Sequence, residues 1–321
     1  MPLNDDSLAD LELLDYWYRH PLLPGSPELD RELKHGYAHL GFSHLYLLNG
    51  ILALTSLRRF GEDRSRTSWY TRALAHQQAA ISRIQPHFQS TDTSHRKAIL
   101  AFSTLTSLYA VAEPTYRPTS FNNNHSDFDP VEEFLRAIRL GRHTTAFVQQ
   151  HLSSVATADP FTALKYSPNS LEITCNLEEH FSQLPLLRES ILRWCEGEQQ
   201  AACLDAVERL FMCIKVLTDN PGNNHHMMVI FKWAKEVNSI FLDMCSARHP
   251  MALIILAHFA ALMSLSQGFW LLHHWPSILL TYIREHLKDW GDLLQWPTGI
   301  ISHNNGASRL AINPHDSKQL L

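Results

Sequence analysis

The chain lacks the surplus of basic residues that phosphate-binding proteins carry. Its 321 residues contain 27 lysines and arginines against 32 aspartates and glutamates, which gives a formal net charge of −5 at pH 7. Because the neutralisation of phosphates supplies most of the non-specific affinity for nucleic acid, this balance argues against direct nucleic-acid binding by this chain. Hydrophobic residues make up 45% of the sequence, which excludes a disordered chain and suffices for one large globular domain or two smaller ones.

The cysteine pattern and the apolar runs exclude two further classes of protein. No two cysteines are spaced as C-x-x-C and their number is odd, so we expect reduced, buried thiols rather than a disulfide framework or a zinc site at Cys175, Cys195, Cys203, Cys213 and Cys245. The acidic N-terminus lacks the apolar run of a signal peptide. The longest apolar stretch, Met251–Leu265, is too short for a membrane span and contains His258. The sequence therefore predicts an intracellular protein, nuclear or cytoplasmic.

Several catalytic signatures are also missing. The sequence contains no G-x-S-x-G nucleophile elbow, no phosphate-binding G-x-x-x-x-G-K-[ST] loop and no dinucleotide fingerprint. It has 20 histidines but no H-E-x-x-H motif, and neighbouring histidines such as His273 and His274 would point about 100° apart on a helix. Hydrolase, nucleotide-binding and helical zinc chemistry therefore have no support from motifs.

The remaining pattern is helical. Only twelve glycines and no sustained apolar–polar alternation leave little material for strands, so we predict an all-α domain of ten to twelve helices around an apolar pocket, spanning residues 1–297. Residues 113–130 contain three prolines and three consecutive asparagines and form the clearest loop, which leaves open a division into two halves. Residues 298–321 are predicted to be a loose tail. The first predicted helix begins near Ser7. The other predicted helices cover residues 41–57, 66–88, 94–112, 131–153, 177–196, 199–217, 225–246, 250–268 and 277–294.

Two sets of short motifs resemble one known family. The N-terminal set comprises Asp10–Leu14 (DLELL), Ser43–Leu48 (SHLYLL), Gly50–Leu54 (GILAL) and the segment Ala75–Gln77 (AHQ) followed by Ala80 and Ile81. The C-terminal set comprises His249–Ala257 (HPMALIILA), Trp270, Trp275, Trp290 and Gln295–Pro297 (QWP). In this order they resemble the C-terminal effector domain of fungal binuclear zinc-cluster transcription regulators of the sterol uptake control type.

This resemblance implies an all-helical domain that senses a lipophilic ligand, such as a sterol or another terpenoid, without a cofactor. The six-cysteine zinc cluster that binds DNA in the family has no counterpart here, so the expected activity is modulation of transcription through a protein partner or a homodimer. An alternative is that a cysteine-rich segment upstream of this sequence is missing from it. The ligand-binding candidates are Trp270, Trp275, His258, Arg58 and Arg59.

A second, weaker resemblance is to the non-standard humulene synthases of fungal sesquiterpenoid pathways. It implies a class I sesquiterpene cyclase that converts farnesyl diphosphate to a hydrocarbon with Mg²⁺, and it assigns no catalytic residue. Such chemistry needs carboxylates that bridge Mg²⁺ to a diphosphate at the mouth of an aromatic cavity. The candidates are Asp289 and Asp292, predicted to lie one turn apart on a helix face, Asp127 and Asp129 in the central loop, and Glu178, Glu179 and His180.

Each of these patterns also has a purely structural interpretation. Asp289 and Asp292 fit a solvated helix face, and Asp127 and Asp129 fit N-terminal caps of the helix that follows Pro130. The abundant aromatic residues are more often core than a cage for carbocations. The sequence alone therefore favours the ligand-binding regulator over the enzyme and leaves both hypotheses open.

Overall fold

The computed structural model describes residues 5–22, 27–88, 92–118, 128–152, 183–219, 226–265 and 269–312. The all-α prediction is confirmed, since the described residues form thirteen α-helices and contain no strand. The helices are α1 (Asp5–Arg19), α2 (Pro27–Ser43), α3 (Leu45–Glu62), α4 (Thr67–Ile84), α5 (Thr93–Tyr116), α6 (Pro130–His151), α7 (Gln183–Trp194), α8 (Gly197–Asp219), α9 (His226–Glu236), α10 (Ser239–Ser246), α11 (Pro250–Ser264), α12 (Trp275–His286) and α13 (Gly291–Ile312). Short 3₁₀ turns cover Gln85–His87, Trp270–Leu272 and Lys288–Trp290.

The contacts divide the chain into two compact units. Unit 1 comprises residues 1–128 and 136–169, and unit 2 comprises residues 129–135 and 170–321. The boundary at residues 128 and 129 lies at the end of the central loop, where the sequence left a division into two halves open. The first turns of α6 belong to unit 2 and the rest of that helix belongs to unit 1.

Helix α3 forms the centre of unit 1. Almost every residue from Tyr46 to Leu57 is buried, together with Phe60, and the helix packs against α1, α2, α4 and α5. Because its apolar residues occupy the whole circumference, it is stable only when neighbours cover every side. The prediction of a central buried helix in this region is thus confirmed.

Three N-terminal helices of unit 1 are joined by a polar network. His76 of α4 lies 3.1 Å from Asp10 of α1 through Nε2 and 3.0 Å from Asn49 Oδ1 of α3 through Nδ1. Arg72 Nη1 donates to the same Asp10 carboxylate at 2.9 Å, and Asn49 Nδ2 donates to the Leu45 carbonyl at 2.7 Å. The network pairs the polar groups that α1, α3 and α4 bring to their interface, so it fixes how these helices pack.

Helix α11 forms the centre of unit 2. All residues from Met251 to Met263 are buried, and α7, α8, α10, α12 and α13 pack around the helix. Pro250 occupies the first turn, as the sequence predicts, where its missing N–H costs no hydrogen bond. His258 is the single polar residue within this run.

The structure differs from the sequence prediction at several helix ends. The predicted helix 41–57 is interrupted at His44, and the predicted helix 225–246 ends at Glu236 and restarts after Asn238, whose side chain accepts a hydrogen bond from the Ile240 N–H. Helix α2 was not predicted. Helix α5 continues through Pro114 to Tyr116, into the predicted loop. The predicted loose tail is helical as far as Ile312, because α13 continues through Pro297.

Two predicted absences concern the described residues only. No single described helix is both long and apolar enough to cross a membrane; α10 and α11 meet that test only as a pair, and they are bent by 104°. The prediction of reduced, buried thiols is confirmed for the four described cysteines, Cys195, Cys203, Cys213 and Cys245. Cys175 lies outside the described residues.

Two helical glycines of unit 1 provide a matched test of this packing. A Cβ added at Gly61 in α3 would lie 2.5 Å from the buried Tyr116 ring, whereas one added at Gly141 in α6 would meet nothing within 4 Å. We therefore expect Gly61→Ala to lower the free energy of unfolding. Gly141→Ala should raise it by about 0.5–1 kcal/mol, because alanine loses less backbone entropy on folding. Urea denaturation of both variants measures this, and an equal effect of the two would contradict the packing described for α3.

Candidate ligand-binding site

His258 lies on α11 in the interior of unit 2. The side chain is 0% exposed, and its ring is nearly parallel to the indole of Trp296 in α13, with an interplanar angle of 10° and 5.4 Å between centroids. The ring of Phe211 in α8 lies 6.1 Å from the imidazole and 6.1 Å from the indole. An imidazole thus lies against two aromatic rings inside an otherwise apolar layer.

The two nitrogens of His258 have different environments. Nδ1 lies 2.9 Å from the carbonyl oxygen of Ile254, one turn earlier on the same helix. Nε2 is buried and has no hydrogen-bond partner among the described residues. Burial lowers the pKa of His258 to about 4, because the apolar surroundings disfavour the imidazolium. The ring is therefore neutral near pH 7, and one of its polar atoms is unpaired.

The two predicted tryptophans also lie in unit 2. Trp275 begins α12 and is 0% exposed, with its ring 4.9 Å from that of Phe134. Phe134 in turn lies 5.9 Å from Phe259, the neighbour of His258. Since adjacent helical residues point about 100° apart, this aromatic cluster covers a different face of α11 from that of His258. Trp270, in a 3₁₀ turn, is half-buried.

The two predicted arginines belong to unit 1, where they bind other parts of that unit. Arg58 Nη1 donates to the Pro21 carbonyl at 2.6 Å, and Arg59 Nη2 donates to Glu12 Oε1 at 2.7 Å. Both guanidinium groups also lie over the ring of Tyr16, at 5.7 and 5.1 Å from its centroid. These contacts join the end of α3 to α1 and to the segment after it.

The predicted carboxylate pair does not lie on one α-helix. Asp289 is exposed in the 3₁₀ turn before α13, and Asp292 is exposed in the first turn of α13, where its Oδ1 accepts a hydrogen bond from Gln295 at 3.3 Å. Asp127 and the residues Glu178, Glu179 and His180 lie outside the described residues.

Asp129 has the capping role that its sequence position also predicts. Its Oδ1 accepts hydrogen bonds from the backbone N–H groups of Val131 at 3.0 Å and Glu132 at 3.1 Å, at the start of α6. Burial opposes ionisation of Asp129, but the Glu132 N–H and the Arg248 guanidinium together hold the pKa of this carboxyl below its usual value. The carboxylate of Asp129 thus already accepts hydrogen bonds from donors of the protein itself.

Sequence reasoning missed Arg248, which is the partner of Asp129. Its guanidinium pairs with Asp129, donates through Nη1 to Glu132 at 3.3 Å, and donates through Nε to the Tyr282 hydroxyl at 3.1 Å. Nη1 also donates to the carbonyls of Cys245 and Ser246. The Arg248 backbone has a φ of 59°, in the left-handed region that side chains with a Cβ avoid. This residue therefore anchors the start of α6 at a cost in backbone strain.

A histidine cluster in unit 1 was also not predicted. The His95 ring lies 4.5 Å from that of His44 and 4.8 Å from that of His87, and His44 Nε2 lies 2.9 Å from Ser94 Oγ. Burial and the neighbouring His95 lower the pKa of His44. The three histidines come from separate elements, so their spacing in the sequence does not predict that their rings are close together. Across the described ranges, no group of three or more His, Cys, Asp or Glu residues is arranged to hold a metal ion.

Comparison with known proteins assigns no function to this geometry. No protein-family model, curated protein or solved structure matches the chain. The resemblance to the sterol uptake control regulators stays a prediction, as does the weaker one to humulene synthases.

Two substitutions at residue 248 separate the strain from the ionic contacts. Arg248→Ala and Arg248→Gly both remove the guanidinium, so both should unfold at lower urea concentration than the wild type. The glycine variant should be the more stable of the two by about 1 kcal/mol, because glycine adopts a positive φ without a steric penalty. At the preceding residue, where φ is −74°, Ala247→Gly should instead destabilise. If Arg248→Gly is no more stable than Arg248→Ala, the backbone at residue 248 is not strained.

The buried imidazole should make the stability of the protein sensitive to acid. As the pH falls from about 6.5 towards 4, the unfolded chain takes up a proton at residue 258 that the folded chain excludes, so this residue lowers the free energy of unfolding over that range. The variant His258→Phe should lose less stability than the wild type between pH 7 and pH 4, by up to about 3 kcal/mol. Urea denaturation at both pH values measures the difference, and an identical loss in both proteins would contradict the burial of a neutral His258.

Proposed function

We propose that the chain is a regulator-like domain that binds a lipophilic ligand in unit 2, beside His258, and modulates transcription through a protein partner. The observation that carries the proposal is the unpaired Nε2 of a fully buried histidine, His258, within the most apolar helix of the described chain. In native proteins, buried polar atoms are nearly always paired, so an unpaired one needs a partner from outside the described residues, and a ligand would be one such partner. Ser56 Oγ and Tyr109 Oη of unit 1 are also buried without a described hydrogen bond; Nε2 of His258 differs from them in lying within the most apolar described helix.

The surroundings of His258 favour a guest that is mostly hydrocarbon. The residues before and after it on α11 are apolar, and the rings nearest to it are those of Phe211 and Trp296. A charged guest would lose its hydration here with no described cation or anion at the imidazole to compensate, whereas apolar surface gains free energy on leaving water. A sterol or another terpenoid has this character, and the resemblance to the sterol uptake control regulators implies the same class.

The regulatory part of the proposal rests on that resemblance and on charge. A net charge of −5 gives the chain no general attraction to phosphates, so any effect on transcription would pass through a protein partner or a second copy of the chain. Direct contact between this chain and DNA is not part of the proposal.

The cyclase hypothesis stays a prediction without support from the described carboxylates. Asp289 and Asp292 are exposed, and Asp129 is paired with Arg248 and with the N–H groups of α6. Arg58 and Arg59 hold carbonyl and carboxylate groups of unit 1. None of these five candidate residues therefore favours a Mg²⁺–diphosphate site over the ligand-binding proposal.

A direct binding measurement tests the proposed function. Titration of the purified chain with dehydroergosterol or farnesol should quench tryptophan fluorescence in a saturable way, because Trp296 lies against the proposed site. Trp296→Ala should weaken binding on the order of tenfold by removing an aromatic wall of the site. Trp194→Ala is the matched control, since Trp194 is 58% exposed and should not contribute.

Three results would contradict parts of this proposal. The absence of saturable binding by either compound contradicts the ligand-binding function. A mobility shift of duplex DNA by the purified chain at physiological salt contradicts the requirement for a partner. The release of a hydrocarbon from farnesyl diphosphate and Mg²⁺, above a boiled control, would establish the cyclase instead.

A further inference from the structure

We propose that unit 2 contains a binding site for one Cu⁺ ion, formed by the thiols of Cys195 and Cys203 and the thioether of Met244. Cys203 is the central residue of this sulfur cluster, because its thiol is hydrogen-bonded to that of Cys195 and lies 3.8 Å from Met244 Sδ. All three side chains are buried. The site contains none of the residues described around His258, so it does not depend on the lipophilic ligand proposed above.

Three separate parts of unit 2 bring the sulfurs together. Cys195 lies in the connection between α7 and α8, where its N–H donates to the Ile191 carbonyl at 2.9 Å and its carbonyl accepts a hydrogen bond from Gln200 Nε2 at 2.8 Å. Cys203 lies in the second turn of α8, and Met244 lies in α10, which packs against α8. Because both peptide groups at Cys195 are hydrogen-bonded, the protein positions this cysteine without help from a metal.

The spacing of the sulfurs fits a three-coordinate metal ion. Metal–sulfur bonds of about 2.3 Å, arranged as a plane triangle, separate neighbouring sulfurs by about 4 Å. The distance of 3.8 Å between Cys203 Sγ and Met244 Sδ is already close to that separation. The hydrogen bond between the two thiols keeps the sulfurs of Cys195 and Cys203 in contact as well. Small side-chain rotations therefore suffice to admit the ion, and the helices can stay in place.

The donor atoms favour Cu⁺ over the commoner zinc. Thiolate and thioether sulfurs together select Cu⁺, whereas structural Zn²⁺ takes four ligands, chiefly from cysteine and histidine. Within the described part of the chain, no group of three or more His, Cys, Asp or Glu residues is arranged to hold a metal ion. The third donor beside the two cysteines is therefore the thioether of Met244, which is a ligand for Cu⁺.

The exchange of one proton for Cu⁺ leaves the buried cluster uncharged. Burial raises the pKa of the Cys195 and Cys203 thiols, so both carry their protons near pH 7 in the metal-free protein. Cu⁺ takes the place of the proton in the hydrogen bond between the two sulfurs, and that proton passes to the solvent. Binding thus adds no net charge to an apolar interior, where an uncompensated charge would be costly.

The connection between α7 and α8 places the cluster within reach of an ion from the solvent. Cys195 is buried, but Trp194 before it and Glu196 and Gly197 after it are exposed. Gly197 has a φ of 55°, a backbone conformation that glycine adopts without a steric penalty and that lets the chain turn directly into α8. The cluster therefore lies just beneath the surface at this turn.

Competition for Cu⁺ under nitrogen tests the site. Bicinchoninate forms a coloured complex with Cu⁺, and the purified chain should remove Cu⁺ from this complex until one ion is bound per chain. Cys203→Ala removes the central sulfur and should weaken the affinity for Cu⁺ on the order of a hundredfold. Met244→Leu keeps the volume and removes only the thioether, so it should weaken the affinity on the order of tenfold. Failure of the wild type to remove Cu⁺ would overturn the proposal.

Cys213→Ala is the matched control for these variants. Cys213 is another buried thiol of α8, but its Sγ donates to the Val229 carbonyl and not to a sulfur, so its loss should leave the affinity for Cu⁺ unchanged. Circular dichroism with thermal melting verifies that each variant is folded, and Cys195→Ala provides a second variant if Cys203→Ala does not fold. Wild-type affinity in a folded Cys203→Ala or Cys195→Ala, or an equal loss in the control, would place the ion elsewhere and overturn the proposal.

X-ray absorption at the copper edge identifies the atoms bound to the ion. The wild-type protein loaded with one equivalent of Cu⁺ should show only sulfur neighbours, at about 2.3 Å. Nitrogen or oxygen bonded to the copper would indicate histidine or carboxylate ligands and would overturn the sulfur site. Each of these results is independent of sterol or farnesol binding, so the copper site and the proposed function stand or fall separately.

Discussion

The burial of α11 on every side is the constraint on which unit 2 depends. A helix that is apolar around its whole circumference cannot face water, so α7, α8, α10, α12 and α13 must cover it. That cover removes water from His258 as well, and its imidazole is held neutral as a result. The unpaired nitrogen and the predicted acid sensitivity both follow from placing one polar residue in the middle of this helix.

The general fold was predictable from the sequence because its signal is local. The apolar runs of α3 and α11 identify central helices without any knowledge of their partners, and Pro250 marks the start of α11. The helix ends were less predictable, because other interactions can maintain a helix at a residue that usually ends one. At Pro297, for example, α13 continues, and the Thr298 hydroxyl donates to the Leu294 carbonyl at 2.6 Å within the same helix. Proline predicts a break only where the surrounding packing does not maintain the helix.

The candidate site was predictable only in part, since most of its contacts join distant residues. The bond from His258 to Ile254 is local, but the stack on Trp296 joins two helices that the sequence does not show to be neighbours. Asp129 shows the same limit, because its capping bonds to α6 lie within three residues, whereas its ion pair with Arg248 spans 119. A left-handed backbone at an arginine has no signature in the sequence, so Arg248 could be found only from the structure.

The segments that carry the family resemblance have different structural roles in the two units. Asp10 and His76, from two N-terminal motifs, meet in the polar network that fixes α1, α3 and α4 in unit 1, so these motifs specify packing. Trp296, from the last C-terminal motif, lies instead against the unpaired imidazole of unit 2. Under the proposed function, the chemistry of the ligand would depend on the residues around His258, such as Phe211 and Trp296, and not on the polar network of unit 1.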